Sequence, residues 1–338
     1  MSKARWIPLG AATLLAAVIA GAASGRHEPA GGTVGTSFPA GFPTITDASL
    51  GTPVLGFGAQ GRVKRTPVIF LHGNNDTPFP TTCNPAGKIH DLAQAFVDRG
   101  YSPSEVWGLG YQGEQCDLAA SPTNRSAAAH TTAANVDDLA RFVKAVLRYT
   151  GARRVDIVGH SLGGTLAREW MRRDNAYRLV RRLVTIASPH HGIIDCSPSP
   201  LNYFALPALG GFNPNSAICV ELGAADTPFV TRLNRNETPG LTKYLALRNA
   251  DADFVYISAQ DGPFFPPVPA QDRNGNPHDF SASPALSGKR ARNVALTGQG
   301  AFDAFGSGHL GILASPQTEQ LAYDFVAGRD DGHEDEEG

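Results

Sequence analysis

Charge is scarce in this chain. Asp, Glu, Lys and Arg make up only 18% of its 338 residues, against about 25% in an average soluble protein. The 29 Lys and Arg nearly balance the 31 Asp and Glu, for a net charge of -2. No basic excess is available to track a phosphate backbone, which excludes nucleic acid as a partner. None of the four cysteines forms a C-x-x-C pair, so a zinc site has no support. No D-x-D-x-D-G loop occurs, and structural calcium has no ligand pattern either. There is no internal repeat, which excludes a solenoid. The uncharged apolar run at residues 9–23 is shorter than the ~20 residues of a comfortable membrane span.

Glycine (37) and proline (25) are abundant, together above the ~12% of average usage. They follow no period, so the chain reads as a loop-rich globular protein. At 42% hydrophobic residues it can build a sizeable core, and its length suits one large domain or two ordinary ones.

The N-terminus carries Lys3 and Arg5, then the apolar run, then Ala20-Gly21-Ala22-Ala23-Ser24. That order predicts a cleavable signal peptide over residues 1–24, and a secreted or periplasmic mature chain. In an oxidising compartment an even number of cysteines implies disulfides. The expected pairs are Cys83–Cys116 and Cys196–Cys219, because each closes one local loop. Residues 25–60 read as an extended segment and 61–328 as the main domain. Residues 329–338, dense in Asp and Glu, read as a solvated acidic tail.

Strands are expected near 67–71, 106–109, 155–158, 183–187, 254–258 and 293–297. Helices are expected at 89–97, 131–149, 162–173 and 317–326. Strand and helix alternate, which implies an α/β fold with a mostly parallel sheet covered on both faces. Residues 188–250, irregular and rich in Pro, Asn and Gly, read as a cap-like insertion over the sheet.

One segment carries chemistry. Gly159-His160-Ser161-Leu162-Gly163 is a G-x-S-x-G placed between a strand and a helix. Such a turn lifts the serine oxygen above the sheet at a helix N-terminus, as a nucleophile requires. A nucleophilic serine needs a base, and the base needs a carboxylate to orient it. In this chain order the base comes last. His309 fits, lying after the 293–297 strand among Gly306, Gly308 and Gly311, while His278 precedes that strand and His333 lies in the tail. The carboxylate is expected just past the 254–258 strand, at Asp261. Asp272 and Asp279 are second choices, and Asp251 and Asp253 lie at the wrong end of that strand. The oxyanion donors are expected to be the N–H groups of Leu162 and of Asn74, in the loop His72-Gly73-Asn74-Asn75, with Asn75 as the alternative to Asn74. Phe204, Phe212, Phe264 and Phe265 are apolar residues in irregular stretches and are expected to line a substrate pocket. Adjacent His190 and His191 point apart and lack a spaced third ligand, so no metal site is expected there.

Four stretches resemble a known family: Val68-Ile69-Phe70-Leu71-His72-Gly73-Asn74, Val155 to Gly164, Thr185-Ile186-Ala187-Ser188-Pro189-His190-His191-Gly192, and Gly306-Ser307-Gly308-His309-Leu310-Gly311-Ile312-Leu313. Together they resemble bacterial extracellular lipases of the α/β-hydrolase superfamily, in particular the class 2 group. The chain is also similar to a secreted polyhydroxybutyrate depolymerase that shares the His-Gly-Asn loop. The resemblance implies cofactor-free hydrolysis of carboxylic esters, with lipid or another hydrophobic ester as substrate and peripheral contact with lipid surfaces. It places the triad on Ser161, Asp261 and His309. A rival of another class is a binding protein on the same fold, which usually loses a triad member; here all three residue types are present.

Overall fold

The computed structural model describes residues 32–48, 50–84, 87–114, 131–206, 210–257, 267–303 and 307–329. Its centre is a seven-stranded sheet: β1 (Leu55–Phe57), β2 (Val68–Leu71), β3 (Val106–Gly110), β4 (Val155–His160), β5 (Val180–Ile186), β6 (Lys243–Asn249) and β7 (Ala291–Leu296). The spatial order is β1-β3-β2-β4-β5-β6-β7, with β1 antiparallel to β3 and every other pair parallel. Strands β2, β3 and β4 are buried at every position, as strands of a parallel sheet covered on both faces should be.

The covering helices are α1 (Lys88–Asp98), α2 (Thr132–Thr150), α3 (Leu162–Arg173) and, near the C-terminus, α7 (Pro316–Ala327). Helix α2 packs on α3, and α1 packs on α7. The apolar stripe of α2 explains its placement: Val136, Leu139, Val143 and Val146 are buried. Thr131 caps it by accepting from the Ala134 N–H, and Gly151 ends it at φ 71°. Between β5 and β7 lie two short helices, α4 (Ala217–Leu222) and α5 (Pro228–Leu233), and before α7 a four-residue helix, α6 (Gly308–Gly311). This is an α/β-hydrolase fold.

Three boundaries differ from those expected. The sheet strand after β5 is Lys243–Asn249, not 254–258, so the insertion ends before residue 243. Residues 254–256 form a turn, because the Asp253 carbonyl accepts the N–H groups of Tyr256 and Ile257, at 3.0 and 2.8 Å. The segment expected to be merely extended before residue 61 supplies β1 and buries Val34, Ile45 and Val54. Phe42 from that segment packs its ring against Trp107 and Phe142.

The insertion is anchored at several points. Cys196 and Cys219 are disulfide-bonded across 23 residues. A loop of that size stabilises by about 3 kcal/mol in the chain-entropy model. Asn202 donates from one amide nitrogen to the carbonyls of Asp195, Ser197 and Phe212. Cys83 is also disulfide-bonded; Cys116 lies outside the described residues, as do 1–31 and 330–338. Among the described residues no helix is long and apolar enough to cross a membrane.

Candidate active site

Ser161 stands at the turn from β4 into α3 with φ 49°, a value that L-residues rarely adopt. The turn is held by the Ser161 N–H, which donates to the Ile186 carbonyl on the neighbouring strand at 2.8 Å. A non-glycine residue kept in such a conformation marks a site where the surrounding structure sets the geometry.

The side chain meets His309 across the top of the sheet. His309 Nε2 lies 3.0 Å from Ser161 Oγ. On the other side of the ring, Nδ1 lies 3.0 and 3.2 Å from the two carboxylate oxygens of Asp253. A carboxylate only accepts, so Nδ1 carries the proton and Nε2 offers its lone pair to the serine hydroxyl. Asp253 is buried and held further by the Val255 N–H on Oδ1 at 3.1 Å.

The carboxylate that meets His309 is Asp253; the expected Asp261 lies outside the described residues. The reason is the position of β6. Its last residue is Asn249, so the loop just past its C-terminal end contains Asp253. Reading Tyr244-Leu245-Ala246-Leu247 as a strand places Asp251 and Asp253 just past its end, and the structure selects Asp253. The second choices are occupied elsewhere: Asp272 accepts from the N–H groups of Asn274 and Asn276, and Asp279 from that of Ser281. The close approach of the base to its carboxylate requires Gly308. A Cβ at that position would collide with the Ala252 carbonyl and the Asn249 amide.

Leu162 is the first residue of α3, where backbone N–H groups have no partner within the helix. It lines the same cavity as Asn74 and Ser161. In the loop after β2, the Asn75 N–H donates to Gln112 Oε1 at 3.1 Å, while Gln112 Nε2 donates to Asn74 Oδ1 at 2.9 Å. The alternative donor, Asn75, is thus engaged by Gln112. Sequence reasoning missed Gln112, which is buried at φ 71° two residues past the end of β3. A residue with no chemical motif around it gave no signal.

The cavity above Ser161 has a volume of about 260 Å³. Ile193, Phe204, Phe212, Ile218, Leu222 and Phe254 form its apolar wall. The Phe204 ring stacks on Phe254 with centroids 4.8 Å apart, and Phe254 lies 5.2 Å from the His309 ring. The structure therefore brings Phe204 and Phe212 to the serine; Phe264 and Phe265 lie outside the described residues. Phe254 was not expected there.

His190 and His191 point apart. His190 Nε2 faces Thr185 Oγ1 at 3.1 Å. His191 contacts the Ser283 carbonyl through Nδ1 and Glu237 through Nε2, at 3.0 and 3.1 Å. Burial outweighs everything else in holding His190 far below the ordinary histidine range.

A family model described as lipase (class 2) matches residues 65–259, more than half of the chain. The chain belongs to the class 2 lipase family. That match takes in Ser161, Asn74 and Asp253 and stops short of His309. No curated protein sequence matches it. Among solved structures it is similar to the Bacillus licheniformis lipase BlEst2 in its propeptide form. The identity is 19%, over 80% of this chain and 52% of that one, with a TM-score of 0.49. Aspergillus fumigatus lipase B is 17% identical over 78% of this chain and 52% of that chain, TM-score 0.45. The lin2722 gene product of Listeria innocua is 17% identical over 78% and 94% of the two chains, TM-score 0.46. The chain spans about half the length of the first two.

Proposed function

We propose that this chain is an exported serine hydrolase of carboxylic esters with an apolar acyl group. The observation that carries the reading is the unbroken line Ser161 Oγ, His309 Nε2, His309 Nδ1, Asp253, opening into an apolar cavity. Ser161 Oγ attacks the ester carbonyl carbon while His309 Nε2 takes its proton. The carbonyl oxygen becomes an oxyanion facing the N–H groups of Leu162 and Asn74; each such donor lowers the barrier by roughly 3 kcal/mol. The C–O bond to the alcohol breaks, and His309 returns the proton to the leaving oxygen. Water then attacks the acyl-serine, losing its proton to His309; the acyl–Oγ bond breaks, His309 returns the proton to Ser161 Oγ, and the acid is released. Every proton moves among Ser161, His309, the alcohol and water, so the reaction as written calls for no metal or cofactor. The Asp253 carboxylate accepts from Nδ1 and steadies the imidazolium. Export is supported by the basic and apolar leader, and by the Cys196–Cys219 bond.

The test is a set of initial rates on p-nitrophenyl esters of increasing acyl length, tributyrin, olive oil and polyhydroxybutyrate granules. Wild type is compared with Ser161→Ala and His309→Ala. Turnover of the soluble esters and triglyceride, lost in both variants, is the expected result. Turnover of the granules alone would make the protein a polyester depolymerase with the same chemistry. Activity that survives in both variants would refute the reading.

A further inference from the structure

The reaction above leaves one histidine of the site unused. His160 is the last residue of β4, immediately before the nucleophile. Its side chain is buried, with the residue only 2% exposed. Its Nε2 lies 2.9 Å from the main-chain carbonyl of His309. A carbonyl can only accept, so Nε2 carries the proton and donates it. Nδ1 is then the lone-pair nitrogen, and it has no hydrogen-bond partner among the described residues. It faces the oxyanion loop so closely that a Cβ on Gly73 would stand 3.0 Å from it. The ring thus sits between the three parts of the site, touching the loop of Asn74, preceding Ser161 in the chain, and bonded to the backbone that carries the base.

That backbone needs an anchor. His309 stands on a helix of four residues, with glycine at both of its ends. The imidazole must stay within hydrogen-bond reach of Ser161, and a displacement of about 1 Å at a reacting group can cost about 100-fold in rate. Burial, more than any neighbour, keeps the His160 ring neutral, and the nearby charge on His309 acts in the same direction. The two rings lie 4.9 Å apart. A neutral His160 therefore adds no like charge beside the imidazolium that forms on His309 during turnover.

We propose that His160 is a positioning residue, whose Nε2–H grips the His309 carbonyl and so holds the base in line with Ser161. The inference rests on the triad reading above. It is distinct from that reading because His160 exchanges no proton with substrate.

Two variants of similar length separate the hydrogen bond from the packing. His160→Gln keeps an N–H donor near the position of Nε2; His160→Met fills the space without one. On p-nitrophenyl butyrate, His160→Met is expected to lower kcat by about 10- to 100-fold, with KM changed less than about threefold and the melting temperature little moved. His160→Gln is expected to recover most of kcat. His160→Asn, whose shorter amide stops short of the carbonyl, stands in for the methionine variant should that one not fold. Each substitution is repeated in a His309→Ala background, where nothing remains to be positioned and no further loss is expected. Equal losses for glutamine and methionine, a wild-type kcat in both, or an additive loss in the His309→Ala background would each overturn the proposal. A failure of the triad reading would show differently, as activity retained by His309→Ala alone.

Discussion

Asp253 grips His309 with both carboxylate oxygens, at 3.0 and 3.2 Å from Nδ1, and its side chain is wholly buried. An amide in that place would offer one oxygen and one N–H₂, and could favour the tautomer that blocks Nε2. Asp253→Asn is expected to lower kcat by about 10³- to 10⁴-fold with the fold retained. Asp261→Asn is expected to keep near wild-type kcat. Steady-state rates and a melting curve for both variants check this; the opposite ranking would return the role to Asp261.

Gln112 ties together two residues of the loop after β2, through Asn74 Oδ1 and the Asn75 N–H. Gln112→Glu keeps the acceptor for Asn75 and removes the donor to Asn74. Loosening a loop should cost less than deleting an oxyanion donor outright, which costs about 10²- to 10³-fold in kcat. A fall of roughly tenfold in kcat is expected, at unchanged KM. A rise in KM with kcat intact would show that the loop serves substrate binding instead.

Phe204, Phe212 and Phe254 form much of the apolar wall above Ser161. Replacing any of them with Ala opens space where an acyl chain would lie. Such changes alter discrimination between chain lengths by about 1–3 kcal/mol. The kcat/KM profile for long acyl esters is expected to move more than that for acetate. Equal loss at every length, with a lowered melting temperature, would make the three rings a small core without a part in specificity.

Glu237 gives a prediction for pH. Burial pushes its carboxyl up, but the bond from His191, the Ser287 N–H and the charges of His191 and Arg168 outweigh it and hold it at about 2. The folded value lies below the unfolded one, so its stabilisation is complete above the ordinary glutamate range near 4.5 and is lost as pH falls toward about 2. For a half-buried carboxylate this amounts to about 1–3 kcal/mol. Urea midpoints of wild type and Glu237→Gln should differ at pH 7 and converge between pH 4.5 and 2. A gap that stays constant down to pH 2 would contradict the ion-pair origin.

Much of the site is local and could be read along the chain. The strand, turn and helix around Ser161 are set by neighbours in sequence, and so are the place of Leu162 at the helix start and the glycine-flanked His309. The bond between Cys196 and Cys219 closes a short loop, which made it predictable by proximity. Asp253 was hidden by a contest between two short runs. Phe254-Val255-Tyr256-Ile257, rich in aromatic and β-branched residues, has the stronger strand propensity. Yet the tertiary structure takes Lys243–Asn249 into the gap between β5 and β7, where both faces are buried, and turns 254–256 around the Asp253 carbonyl. Gln112 and His160 contact residues far from them in the chain, and β1 is a run of only three residues, Leu55–Phe57, between glycines and prolines. Sequence determines what a residue and its neighbours can do. Which carboxylate, amide or ring ends up beside the serine depends on where each strand stops in the packed sheet, and only the assembled core sets that.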